Sequence, residues 1–256
     1  MGGPCRGPHA ARVKAVYDVL VIAHVLTGAV GLLSLALPLL ARKGSRRHRL
    51  TGWGFAIAMA ISMSTALLIS ASWIAIPLVV KPQSPGVDPH EASETLRAFG
   101  MLFGVLALLG GHALAAGLGA IGARRRRWPW LLPLARVQGL GLLVAGPLLL
   151  LIGISRGSVL LMAIGGLGIV SGIASRRMPL LASAYTSRQT VLIAHVEAML
   201  GVATVATTAF FVQMGGSLGL GAFSLWVWAV PVSLGHFATV LWRRRVRRGA
   251  YGRAHA

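Results

Sequence analysis

Residues 42–52, Arg42-Lys43-Gly44-Ser45-Arg46-Arg47-His48-Arg49-Leu50-Thr51-Gly52, set five cations and a histidine between two oily runs. No Lys or Arg occurs from 15 to 41 or from 50 to 80. Such a stretch suits a nucleic-acid patch, a catalytic loop, or a connection between two membrane spans. The rest of the chain selects the third.

The chain has 256 residues, 55% hydrophobic and 12% charged. Soluble domains carry about 25% charged residues, so half the usual polar surface is missing. The net charge of +20 would suit a nucleic-acid binder taken alone, but its distribution follows the apolar runs. Arg far outnumbers Lys beside 33 Gly, a bias typical of a GC-rich bacterial genome. The single Cys5 excludes an internal disulfide framework and a Cys-built metal cage. The first apolar run, Val16 to Leu40, is too long for a signal-peptide core and has no clear small-x-small cleavage site. It reads as a retained first span.

A spanning helix needs about 20 mostly apolar residues to cross roughly 30 Å of hydrocarbon. Seven segments meet or approach this: 16–40, 53–80, 98–122, 130–154, 158–174, 190–213 and 221–242. Only Ser155, Arg156 and Gly157 separate the fourth from the fifth, which predicts a tight helical hairpin. The first connection carries five Lys and Arg, the third four, the fifth three and the C-terminal tail six. The alternate set, beginning with the N-terminal tail, carries three, two, one and none. Cytoplasmic loops retain Lys and Arg. The expectation is therefore an all-α bundle of about seven spans, N-terminus outside and C-terminus cytoplasmic, in a bacterial cytoplasmic membrane. Residues 1–15 form an exported tail, 16–242 one helical domain, and 243–256 a basic cytoplasmic tail. The cations at span ends (Arg42, Lys43, Arg46, Arg47 and Arg49; Arg124, Arg125, Arg126 and Arg127; Arg243, Arg244 and Arg245) read as topology determinants facing anionic lipid headgroups. Nucleic acid is not an expected partner. Trp53, Trp128, Trp130 and Trp242 flank the same ends, where indole rings favour the interface. The stretch 81–97, with three prolines and Asp88, Glu91 and Glu94, reads as an irregular exported loop.

Ionisable groups inside hydrocarbon are costly and tend to mark function. Here they are His24, His112, His195, His236, Glu197 and Arg136, with His48 at the interface. Counted from the inner span ends, His24 lies about 25 Å deep, His112 about 16 Å, His195 about 8 Å and His236 about 9 Å. Two imidazoles level on consecutive antiparallel helices suit axial ligation of a haem b iron, so His195 and His236 are the expected pair. His112 and His48 lie near that level, whereas His24 has no histidine opposite it. The alternatives are interhelical hydrogen bonds worth roughly 1 kcal/mol each, a proton or solute relay involving Glu197, and a zinc or copper site that recruits a third histidine. Glu197 would pair with Arg136 or Arg188, or be protonated, since desolvation favours the neutral carboxyl. His24, Thr27, Gly28, Gly31 and Ser34 share one helix face, and Gly110, Gly111, His112, Ala115, Ala116 and Gly119 offer another small-residue surface. Both predict close helix packing. No P-loop, dinucleotide glycine fingerprint, HExxH or GxSxG occurs, and one intramembrane carboxylate excludes a dimetal carboxylate centre.

His24-x3-Gly28, Arg42-Lys43-Gly44-x3-His48-Arg49-x2-Gly52 with Met59, and His195-x3-Met199-Leu200-Gly201 with Thr208-Ala209-Phe210 resemble a bacterial family of multi-span membrane proteins, domain of unknown function 2306. Pro231 and the basic tail are also similar. The match covers about residues 20–60 and 190–245. It implies an inner-membrane protein without an assigned activity, and it points to His24, His48 and His195. Three functions follow as expectations: a haem- or redox-associated membrane protein first, a proton-linked transporter or channel second, and a non-catalytic scaffold or assembly factor third. Redox partner and oligomeric state stay open.

Overall fold

The computed structural model describes residues 8–81, 86–124, 127–177, 187–217, 219 and 225–248. Arg125, Arg126 and the ends of both tails lie outside the described residues, as does the side chain of Arg124. The elements run α1 (Pro8–Ser34), α2 (Ala36–Leu40), α3 (Arg46–Ala75), α4 (Pro77–Val80), α5 (Pro89–Arg124), α6 (Leu131–Ser155), α7 (Val159–Ser175), α8 (Arg188–Ser217) and α9 (Leu225–Arg247). Among the described residues there is no strand.

Five stretches are long and apolar enough to cross a membrane: Pro8–Leu40, Arg46–Ala75, Pro89–Ala123, Leu131–Ser155 and Arg188–Gly215. The other two expected spans are weaker. α7 has only 17 residues, and α9 ends in Arg244, Arg245 and Arg247 and is not one of the five.

Prolines divide the hydropathy runs. Pro38 has no N–H and its ring meets the carbonyl of Ser34, four residues back, so α1 stops there and α2 begins anew. Pro77 separates α4 from α3 in the same manner. Two expected irregular segments are helical instead. α1 begins at Pro8, inside the supposed tail, and α5 begins at Pro89, inside the supposed loop. Asp88 explains the second start: its carboxylate accepts from His90 N at 3.3 Å and Glu91 N at 3.4 Å, while Pro89 occupies the first turn, where an N–H is dispensable.

The opening stretch is a compact helix-to-helix turn. Gly44 takes φ +80°, a left-handed conformation that favours glycine. Ser45 then caps α3, its Oγ accepting from His48 N at 3.1 Å. His48 is thus a first-turn helical residue and not a loop residue. Gly52 lies inside α3 with open space around it, so it makes no close approach.

α5 is the central helix, packed against α3, α6 and α8. α6 and α7 form the expected antiparallel hairpin, turning through Gly157 at φ +61°. Its glycines bring backbone against backbone: a Cβ on Gly165 would sit 2.6 Å from Leu150 N, and one on Gly146 would sit 2.9 Å from Gly165 O. On the other side, α1 lies against α3, with Gly28 facing Ser62 and Gly31 facing Met59. Two apolar clusters fill the interior. Leu102, Val105, Leu142, Leu149, Leu161 and Val212 belong to one; Phe55, Met59, Met63, Leu114 and Val202 belong to the other. Outward, α1 exposes Val16, Val19, Ile22, Val25, Leu26 and Leu33, and α6 exposes Val137, Val144, Leu148 and Leu151.

Candidate functional site

Each of four histidines reaches a different helical neighbour. His24 Nδ1 on α1 lies 3.0 Å from Ser62 O on α3. His48 Nδ1 on α3 lies 3.0 Å from Pro38 O on α2. His112 Nδ1 on α5 lies 2.8 Å from Ala135 O on α6. His195 Nδ1 on α8 lies 3.1 Å from Gly117 O on α5. A carbonyl oxygen only accepts, so Nδ1 donates in every case and the neutral ring keeps its lone pair on Nε2. Around His24, Ser62 Oγ at 3.3 Å and Thr65 Oγ1 at 3.5 Å complete a polar contact between α1 and α3.

His236 makes no comparable bond among the described residues, and it is exposed. The register of α8 and α9 separates it from His195. Gly235 lies directly against Thr204; Arg243 Nε lies 3.4 Å from Glu197 Oε1; Gln189 Nε2 donates to Arg247 O at 3.5 Å. His195 is therefore level with Arg244 and Arg245, and His236 with Ala203. The two rings stand about eight residues apart along the helices, or ~12 Å. One iron cannot be ligated across that offset, so the expected His195–His236 pair is not brought together. Equal depth fails because α8 and α9 each extend beyond the apolar span from which depth was counted. The same register corrects the partner of Glu197, which is Arg243 and neither Arg136 nor Arg188. That contact is an ion pair without a hydrogen bond, so Glu197 Oε1 is buried without a hydrogen-bond partner.

The structure does gather His48, Lys43 and His195. Lys43 and His48 share the Pro38 carbonyl, and the His195 ring, 147 to 152 residues away in sequence, lies near both at one end of the bundle. Lys43 Nζ donates to Pro38 O at 2.6 Å and Leu39 O at 2.9 Å. With His48 it satisfies the last carbonyls of α2, which a helix end leaves without partners. Lys43 also lies over the Trp242 ring, 4.4 Å from its centroid, and Arg245 lies 5.7 Å from that centroid. Burial pulls the Lys43 ammonium below its ordinary pKa.

Sequence reasoning missed two features. Gln138 and Ser175 join His112 where α5, α6 and α7 meet. Gly111 packs on the Gln138 amide and Gly139 on Ser175, and the Gly139 Cβ position is 3.6 Å from His112 Cε1. Gln138 Oε1 is buried without a partner. The Gly111-His112 pair was a signal for close approach, but nothing in sequence named Gln138 as its neighbour. Arg136 is exposed near the start of α6, outside this group. Trp53 and Trp128 form an edge-to-face pair with centroids 5.1 Å apart, tying α3 to the α5–α6 connection. Among the described residues, no three His, Cys, Asp or Glu side chains converge as a metal site. No family model matches the chain, and no curated protein or solved structure matches it.

Proposed function

We propose that this chain is a seven-span protein of a bacterial cytoplasmic membrane, N-terminus exported and C-terminus cytoplasmic, acting as a non-catalytic membrane scaffold whose histidines tie helices together. The four Nδ1–carbonyl bonds carry this reading. Each joins a different pair of elements. Five long apolar helices and their outward Val, Ile and Leu faces support embedding in lipid. α7 contributes about 26 Å of helix, close to the ~30 Å hydrocarbon thickness, and its glycine-lined contact with α6 supports its place beside a full span. The Lys and Arg asymmetry supports the orientation. Reporter fusions at Gly157 and after Arg248 should report opposite sides. A common side for both would remove the topology. Replacing His24, His112 or His195 singly with Gln should lower stability yet leave partner capture intact. A variant that folds as wild type but loses capture would instead make that histidine a functional ligand.

A second reading rests on the lone pairs at Nε2. An imidazole whose Nδ1–H is held by a carbonyl is oriented as a metal-ligating histidine is, and His48 and His195 share one end of the bundle. On this reading the pair belongs to a haem- or redox-associated protein, with His236 outside the site. Haem-replete expression should then yield a Soret band lost in His48→Ala and His195→Ala and kept in His236→Ala. A colourless wild-type protein would end it.

A further inference from the structure

We propose that the basic end of the bundle holds a saturable site for a phosphate-bearing anion, formed by Lys43, Arg245 and the ring of Trp242 between the α2–α3 turn and the end of α9. This stands whether the histidines are ties or ligands.

The chain has five side-chain carboxylates, and among the described residues none forms an ion pair with Lys43 or Arg245. Asp18 pairs with Lys14 at 2.8 Å. Asp88 caps α5, where Glu91 occupies the first turn. Glu94 meets His90 at 3.7 Å and Arg156 at 3.4 Å. Glu197 takes Arg243 at 3.4 Å. Lys43 is nevertheless partly desolvated, and a buried charge is costly without a counter-charge. Its two hydrogen bonds to Pro38 and Leu39 fix the ammonium in place and use two of three donors. Arg245 lies against the same indole. A point charge of fixed position and a guanidinium able to bind two oxygens, both held beside one indole, make a phosphate-binding combination. The phosphate is either a lipid headgroup or a free anion, and both sources present the same oxygens.

The full-length protein in neutral detergent supplies the test, with phosphatidylglycerol and inorganic phosphate as separate probes. Native mass spectrometry counts bound lipid, and the unfolding midpoint follows phosphate titration. Wild type should bind one probe saturably. Lys43→Met should weaken that binding about tenfold, as loss of one charged hydrogen bond implies. Arg245→Gln, at an exposed position, should weaken it severalfold and guards against misfolding of the Lys43 variant. Arg47→Gln removes the same charge from the exposed start of α3 and should leave affinity unchanged. Saturation by phosphatidylglycerol alone identifies a headgroup; saturation by inorganic phosphate identifies a free anion. Saturation by neither, or equal loss in Arg47→Gln, overturns the site in favour of diffuse surface attraction.

Discussion

Gly165 and Gly166 are neighbours on α7 with opposite surroundings, so the hairpin can be tested by one methyl group at each. A Cβ at Gly165 would lie 2.6 Å from Leu150 N, 2.8 Å from Gly146 O and 3.0 Å from Leu150 Cα. All three are backbone atoms and cannot swing aside. Easing the closest contact to an ordinary 3.4 Å moves α7 outward by about 0.8 Å. A gap of 0.5–1 Å forfeits roughly a quarter to a half of each dispersion contact. Overpacking of this sort costs about 1–3 kcal/mol. Against it stands the helix preference for Ala over Gly, ~1 kcal/mol. At Gly166 a Cβ meets nothing within 4 Å, so only the favourable effect remains. Gly165→Ala should therefore cost about 0–2 kcal/mol net, and Gly166→Ala should be stabilising by up to about 1 kcal/mol. At ~2–4 °C per kcal/mol for a chain of this size, the overpacking cost of about 1–3 kcal/mol that only Gly165→Ala bears should separate the two midpoints by about 2–12 °C. Thermal unfolding in one detergent, followed by intrinsic tryptophan fluorescence, measures the difference. Equal midpoints would refute the close approach of α6 and α7.

Three further outcomes follow. His112→Ala removes the bond to Ala135 O and should cost about 1 kcal/mol, at most ~2, whereas exposed His236→Ala should leave the midpoint unchanged; equal effects would contradict the assigned register. Asp88→Ala removes the start of α5 and should cost about 1 kcal/mol, read as faster amide exchange over residues 90–94 with α8 as internal control. Lys43 supplies a pH effect. Its ammonium is held below the ordinary lysine value of 10.5, so between the folded value and 10.5 the unfolded chain binds more protons. Stability should then rise with pH across that window. In detergent free of anionic lipid, Lys43→Met should flatten the rise, and an unaltered slope would show that Lys43 is not desolvated.

The architecture was legible where a local rule acts without competition. The hairpin followed from two apolar runs separated by three residues, and it closes through Gly157 and Ser158 because no longer route is available. The packing face of α1 followed from spacing alone, since His24, Gly28 and Gly31 recur at helical period and meet Ser62 and Met59. Boundaries were less legible. Hydropathy continues through Pro38 and Pro77 as though they were ordinary apolar residues, yet each ends a helix by removing a donor and crowding a carbonyl. Polar segments misled in the opposite direction. The run 86–97 is mostly polar, but Asp88 and Pro89 start a helix that α5 then extends through the bundle.

Why the histidines were mispaired is a matter of reference frame. Depth counted from the end of an apolar run assumes that helix and run end together. α8 starts at Arg188 and α9 continues to Arg247, so the polar ends slide past one another until Gly235 meets Thr204. A glycine thus set the register and displaced His236 from His195, which no count of hydropathy registers. His48 shows the converse. The sequence placed it only at the interface, but Ser45 starts α3 in time to turn its ring toward Pro38, and the same proline that interrupts α1 leaves the carbonyl that ring takes. The cationic turn therefore builds a packed contact. Lys43 and His48, the latter without any topological duty, close the end of α2, and His195 arrives beside them on α8. Whatever this chain does at its basic end depends on a break in its first apolar run.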